Sequence, residues 1–96
     1  MPVHLVCLDG HADISLDRAP VVVGRHRWCD VRIASLQVSR RHCRLALARD
    51  SVLVRDLGST NGTLINGERI KEGVLRPGDE LSIAHCRYRL EGLSGC

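Results

Sequence analysis

The stretch Thr63-Leu64-Ile65-Asn66-Gly67-Glu68-Arg69-Ile70 decides the fold class of this chain. Asn66-Gly67 stands between two short strand-like runs, the pattern of a two-residue hairpin whose central residues both take positive φ. The same rhythm of short apolar runs and turn residues continues outward to both ends. Upstream lie Val3–Leu8, Ile14–Leu16, Val21–Val23, Val31–Ile33, His42–Ala48 and Ser51–Asp56. Downstream, the turn Pro77-Gly78-Asp79 leads into Glu80–Ala84, and Arg87–Leu90 follows. Within His42–Ala48, the alternation puts His42 and Arg44 on one side and Cys43, Leu45 and Leu47 on the other. No window carries helical periodicity beyond one or two turns. About ten short strands at this spacing predict an all-β sandwich or barrel.

With 96 residues and 44% hydrophobic content, the chain reads as a single domain, 1–96, with a modest core. No run approaches the roughly 18 apolar residues of a membrane-spanning helix, and the N-terminus lacks a signal-peptide pattern. The expected setting is therefore cytoplasmic, or nuclear in a eukaryote, with no membrane partner. Cys7, Cys29, Cys43, Cys86 and Cys96 form no C-x-x-C pair and read as reduced thiols, with Cys7 and Cys43 as small core residues. No Cys/His pair has metal-ligand spacing, so neither metal nor cofactor is expected.

The core must be built from Val, Leu, Ile and Ala, because the chain has no Phe, one Trp and one Tyr. That poverty in aromatics also argues against single-strand nucleic-acid platforms and proline-rich-peptide grooves. Net charge is a mild +3, yet Arg25, Arg27, Arg32, Arg40, Arg41, Arg44 and Arg49 crowd between Val21 and Asp50, against only Asp30 and Asp50. Guanidinium forks suit oxyanions better than ammonium groups do. GC-rich coding also replaces lysine with arginine, so position rather than number carries the argument.

Position points to three donor-rich loops: Gly24-Arg25, Ser39-Arg40-Arg41-His42 and Gly58-Ser59-Thr60-Asn61-Gly62. Each follows the last after about one strand and its turn, so a sandwich would deliver them to one rim, where they would make a pocket for a doubly charged anion. Ser39 and His42 are three apart at a loop–strand junction, where side chains diverge. No glycine-rich phosphate loop precedes a helix either, so no catalytic residue is expected.

In order and spacing these blocks resemble the forkhead-associated domain, a phosphothreonine-reading β-sandwich. The likeness extends through Cys29-Asp30, Asp56-Leu57-Gly58-Ser59, Leu64-Ile65-Asn66-Gly67 and Pro77-Gly78-Asp79, and covers about residues 3–91, leaving 92–96 as a tail. It implies an FHA-like sandwich of about eleven short, mostly antiparallel strands with its binding loops at one end. It further implies that Arg25, Ser39, Arg40 and Thr60 hold the phosphate and that Asn61 holds the peptide backbone. Gly24, His42 and Gly62 support the loops, while Gln37, His85 and Trp28 are candidates for sequence preference. Arg41 falls at the variable position of the motif and is read as solvated.

The implied partner is a phosphothreonine-containing protein, a Ser/Thr-kinase substrate, and the implied role is non-catalytic recognition in signalling. A phosphate-independent protein-interaction scaffold and an arginine-driven nucleic-acid binder are the alternatives. Three residue-level alternatives stay open. Ser39 could be a turn serine bonding its own backbone, and Asn61 a left-handed turn former ahead of Gly62. Trp28 is either a rim anchor for peptide or a ring lying over its own strand, the latter being favoured.

Overall fold

The computed structural model describes residues 3–92, so Cys96 and most of the expected tail lie outside the described residues. Eleven strands form two packed sheets. In chain order they are β1 (His4–Cys7), β2 (Ile14–Ser15), β3 (Val21–Gly24), β4 (Val31–Arg32), β5 (Cys43–Leu47), β6 (Val52–Asp56), β7 (Thr63–Ile65), β8 (Glu68–Ile70), β9 (Glu72–Leu75), β10 (Glu80–Ile83) and β11 (Cys86–Glu91). One sheet has the order β2-β1-β11-β10-β7-β8 and the other β4-β3-β5-β6-β9. Among the described residues only β3–β4 pairs in parallel, and there is no helix.

The hairpin read from Asn66-Gly67 is present. Both residues take positive φ, 52° and 84°, and Ile65 pairs with Glu68 across the turn. Ten of the eleven strands match runs legible in the sequence. The eleventh, β9, has only Val74 and Leu75 as apolar residues, and Gly73 interrupts it. As the edge strand beside β6, it sends Leu75 alone fully into the core.

Alternation explains most of the burial. Val21 and Val23, Cys43 and Leu45, and Val52 and Val54 point inward from one sheet. Leu5, Leu81, Ile83, Cys86, Tyr88 and Leu90 meet them from the other. Three details depart from the sequence reading. Leu47 shares the parity of Leu45 yet is exposed at the last position of β5, although its cross-strand partner Val52 is buried. No alanine is fully buried; Cys43, Cys86 and Tyr88 fill the small and large gaps instead. His42, on the nominally outer parity, is completely buried, because it precedes β5 and turns into the seam between loops. Burial pushes the Cys43 thiol up to about 12, with the nearby Asp56 charge adding to the effect, so it stays an inert thiol. Cys7, Cys29 and Cys86 are also unpaired.

Register places the site. Val23 pairs with Cys43, and Cys43 with Asp56, so the end of β3, the start of β5 and the end of β6 share one end of a sheet. Gly24 makes their approach possible. A Cβ built there would lie 2.1 Å from the Arg40 carbonyl oxygen and 2.9 Å from Cys29 Sγ. The obstruction is mostly backbone, so it cannot swing aside. Gly24→Ala is expected to cost about 1–3 kcal/mol of unfolding free energy in urea titration; an unchanged midpoint would mean that the two segments are not in this contact.

Candidate functional site

His42 joins the loops. Its ring Nδ1 accepts from the Ser39 amide (3.1 Å), which leaves the ring hydrogen on Nε2 to donate to the Gly62 carbonyl (2.7 Å). Its backbone N–H donates to Val23 O, and its carbonyl accepts from Leu57 N–H, each at 2.9 Å. With both ring nitrogens committed, His42 has no lone pair for the Ser39 hydroxyl. The ring is bonded to the Ser39 backbone rather than to its hydroxyl.

The loop of Arg25 is laced to that of Ser39 by Arg25 N–H to Ser39 O (2.9 Å) and His26 N–H to Arg40 O (3.1 Å). The half-buried Arg25 side chain donates through Nε to Val38 O (3.1 Å). Its terminal nitrogens have no partner among the described residues. Val38 is buried in the core, so this anchor is fixed. Ser39 Oγ accepts from the Thr60 amide (3.1 Å), tying the second loop to the third. A hydroxyl that accepts in this way still has its own hydrogen to donate outward. The bond goes to another loop, which sets aside the reading of Ser39 as a turn serine bonded to its own backbone.

Asn61 is not among the residues with positive φ, so the left-handed-turn reading fails for it; Asn66 is the residue that uses that conformation. Instead Asn61 Nδ2 donates to the Gln37 carbonyl (2.7 Å) and to Gln37 Oε1 (3.2 Å). Its Oδ1 remains free among the described residues. Arg25, Ser39, Arg40, Thr60 and Asn61 thus line one depression of about 320 Å³, together with Leu36, Gln37 and Val38. No carboxylate lines it. Among the described residues no cluster of His, Cys, Asp and Glu is arranged to hold a metal ion. The chemistry on offer is that of convergent donors around an anion.

Gln37 therefore belongs to the depression, but the other two candidates for sequence preference do not. His85 lines a separate groove with His11, Asp13 and Ser35. Trp28 is 79% exposed, with the Arg27 guanidinium 5.6 Å from its ring centroid. A ring so exposed does not lie over its own strand.

Sequence reasoning gave no role to Asp56, which organises the third loop. Its Oδ1 accepts from the hydroxyls of Ser59 and Thr63, and its Oδ2 from the amides of Gly58 and Ser59, each at 3.0 Å. Ser59 Oγ in turn accepts from Gly62 N–H (3.1 Å). Burial raises the Asp56 pKa, but these four bonds outweigh it and hold the carboxyl below its ordinary value. The legible signal was Asp56-Leu57-Gly58-Ser59, an aspartate two residues ahead of a glycine, where the side chain bonds backbone two residues on.

Because the folded pKa is depressed, the Asp56 contribution is fully present above the unfolded carboxylate range, near about 4. It is lost as pH falls through the folded value. Asp56→Ala is expected to cost about 1–3 kcal/mol at neutral pH, since it orphans the buried Ser59 and Thr63 groups. The gap in urea-unfolding free energy between the natural chain and Asp56→Asn should narrow as pH is taken below about 4. A constant gap would show that the carboxylate charge is not what holds the loop.

Comparison with known proteins agrees with this geometry. The glycogen accumulation regulator GarA of Mycobacterium tuberculosis is 40% identical over 80 residues, 83% of this chain and 48% of GarA. The oxoglutarate dehydrogenase inhibitor of Corynebacterium efficiens is 38% identical over 80 residues, 83% of this chain and 55% of the inhibitor. The chain thus spans about half the length of the curated relatives it matches. A domain solved in a structural and functional study of phosphothreonine-dependent FHA domain interactions superposes with a TM-score of 0.85 at 29% identity, covering 96% of this chain and 97% of that one. The family model described as the FHA domain matches residues 21–84, and the chain belongs to the forkhead-associated domain family.

Proposed function

We propose that this chain recognises phosphothreonine in an extended segment of a kinase-phosphorylated protein and performs no chemistry on it. The observation that carries the reading is the convergence of Arg25, Ser39, Arg40, Thr60 and Asn61 on one carboxylate-free depression. A phosphothreonine brings a charge of about −1.5 to −2 and three acceptor oxygens. The free terminal nitrogens of Arg25, the outward hydrogen of Ser39 and the Thr60 hydroxyl are donors of the required kind. Arg40 is exposed at the lip and adds positive charge. The free Oδ1 of Asn61 accepts from a peptide N–H and sets the direction of the ligand.

The partner is a cytoplasmic Ser/Thr-kinase substrate, a reading supported by the likeness to a domain studied for phosphothreonine-dependent interactions. The extra methyl of phosphothreonine over phosphoserine is worth only about 0.8 kcal/mol by burial. Stronger selectivity therefore requires tight shape exclusion as well. A glutamate in place of the phosphothreonine has too little charge and too few oxygens to satisfy the same donors.

Calorimetric titration with phosphothreonine, phosphoserine, glutamate and unmodified versions of one peptide tests this. Phosphothreonine should bind tightest and the unmodified peptide should not saturate. Arg25→Ala and Ser39→Ala should each lose about 1.5–3 kcal/mol, the worth of a hydrogen bond to a charged group. Asn61→Ala should weaken binding while leaving thermal unfolding nearly unchanged. Affinity should also fall as pH drops through about 6, where phosphate takes up its second proton. Equal binding of the unmodified peptide would instead favour the phosphate-independent scaffold.

A further inference from the structure

A second concavity lies beside the phosphate depression and shares Arg40 with it. It has a volume of about 480 Å³ and is lined by Val22, His26, Trp28, Cys29, Asp30, Arg40 and Arg41. Its floor is held by internal bonds. The Cys29 amide donates to the His26 carbonyl (3.0 Å) and the Trp28 amide to His26 Nδ1 (3.1 Å), closing a tight turn that presents the indole. Cys29 Sγ donates to the Arg40 carbonyl (3.0 Å), pinning that turn to the phosphate-side loop. Asp30, the one carboxylate present, uses Oδ2 to accept from the Val22 amide (2.8 Å).

The charged rim is uncommitted by contrast. The guanidiniums of Arg40 and Arg41 make no hydrogen bond or ion pair among the described residues. Arg27 touches only the Trp28 ring. The result is an exposed indole on a hydrogen-bonded turn beside a groove with a cationic border, which shares Arg40 with the phosphopeptide depression. An isolated exposed apolar residue needs no explanation. This one is the chain's single tryptophan, on a hydrogen-bonded turn, preceded by Arg27 and lining one groove with Arg40 and Arg41.

We propose that the Trp28–Arg41 groove is a second recognition subsite, taking an acidic and apolar flank of the same phosphorylated segment whose phosphothreonine occupies the depression. Charge complementarity selects the acidic component: Arg40 and Arg41 line the groove with a single carboxylate, Asp30, already engaged with backbone, and Arg27 stands beside the indole. The indole and Val22 select the apolar component. Sharing Arg40 makes the two subsites continuous, so the flank binds at the raised effective concentration of a tethered ligand. An indole has only two side-chain torsions to order, so it gives contact area at low entropic cost. This inference rests on the phosphothreonine reading and adds the chemistry of the sequence around it.

The test uses a short phosphothreonine peptide otherwise made of alanine, and the same peptide extended by Glu-Leu-Glu-Leu at its N-terminal or its C-terminal end. One extension should raise affinity about tenfold and shift the fluorescence of Trp28, which reports on the groove without a label. The unextended peptide should bind with little change in that emission. Trp28→Ala and Arg41→Gln should each remove most of the gain, and Arg41→Gln should leave the unextended peptide within about twofold, since an exposed charge outside the site contributes little. Extensions that give no gain at either end overturn the proposal. So does a gain that survives Trp28→Ala with Trp28 emission unmoved, which is long-range attraction without contact. If the unextended phosphopeptide fails to bind at all, the phosphothreonine reading fails separately.

Discussion

The bond between His42 Nε2 and the Gly62 carbonyl, 2.7 Å long, is the constraint on which the functional end depends. The ring that makes it is wholly buried, and an unsatisfied imidazole there would be costly. Every polar group of His42 is instead used on a different segment: Ser39 and Gly62 by the ring, Val23 and Leu57 by the backbone. Those segments are the end of β3, the second loop and the two sides of the third. Replacing the ring by a methyl would strand the Ser39 amide and open a void in the same step. The rim is therefore one cooperative unit, and its donors do not move independently. A ligand that meets a rim already in place avoids the ordering cost that flexible loops would impose.

Acceptors and donors are divided between scaffold and rim. The acceptors near the loops are consumed internally. Asp56 takes four hydrogen bonds, the Ser59 hydroxyl takes one from Gly62, and the Gly62 carbonyl takes the His42 ring and the Ala84 amide. What remains directed outward is mostly donor: the Arg25 terminal nitrogens, the Ser39 hydroxyl hydrogen and the Arg40 guanidinium. The Asp56 carboxylate is thereby occupied within the third loop, and its hydrogen bonds stabilise the segment that carries Thr60 and Asn61. An excess of arginine in the sequence would not by itself have achieved this. Arg44 and Arg55 sit opposite each other on the sheet face, away from the depression.

How much was legible follows from range. The Asn66-Gly67 hairpin and the strand runs behind β3, β5, β6 and β11 are decided by neighbours in sequence, and the structure has strands there, although Leu47 and His42 depart from the alternation read for β5. β9 was invisible because an edge strand with one inward residue carries no pattern of its own; its partner β6 creates it. Ala84 at φ 54° is similar, an alanine in a conformation that turn chemistry reserves for glycine, held between β10 and β11. Within the site, residue types and loop order were readable, and so was the gathering at one rim. Partners were not. The pairing of Asn61 with Gln37 crosses 24 positions, and the use of both His42 nitrogens depends on segments 3 and 20 residues away. Trp28, three residues from Arg25, and His85, between β10 and β11, line other concavities, because loop direction is set by side-chain bonds the sequence does not display.

The Asn61–Gln37 pair bears on how the rim waits for its ligand. A side-chain amide has two donor hydrogens, and both of those on Asn61 are used by Gln37, one on a carbonyl at 2.7 Å and one on the flexible Oε1 at 3.2 Å. The shorter bond holds loop to loop and has reason to persist. The longer one goes to an exposed side chain that is free to rotate away. A peptide carbonyl arriving at Asn61 offers the same chemistry as Oε1, so the exchange replaces one hydrogen bond by another and leaves the amide satisfied throughout. The net gain from that contact is accordingly small, about the difference between two neutral hydrogen bonds. In the proposed recognition Asn61 then acts chiefly on orientation, with Oδ1 accepting and Nδ2 donating along one strand of backbone, while the free energy of capture is assigned to charge-assisted bonds at Arg25 and Ser39.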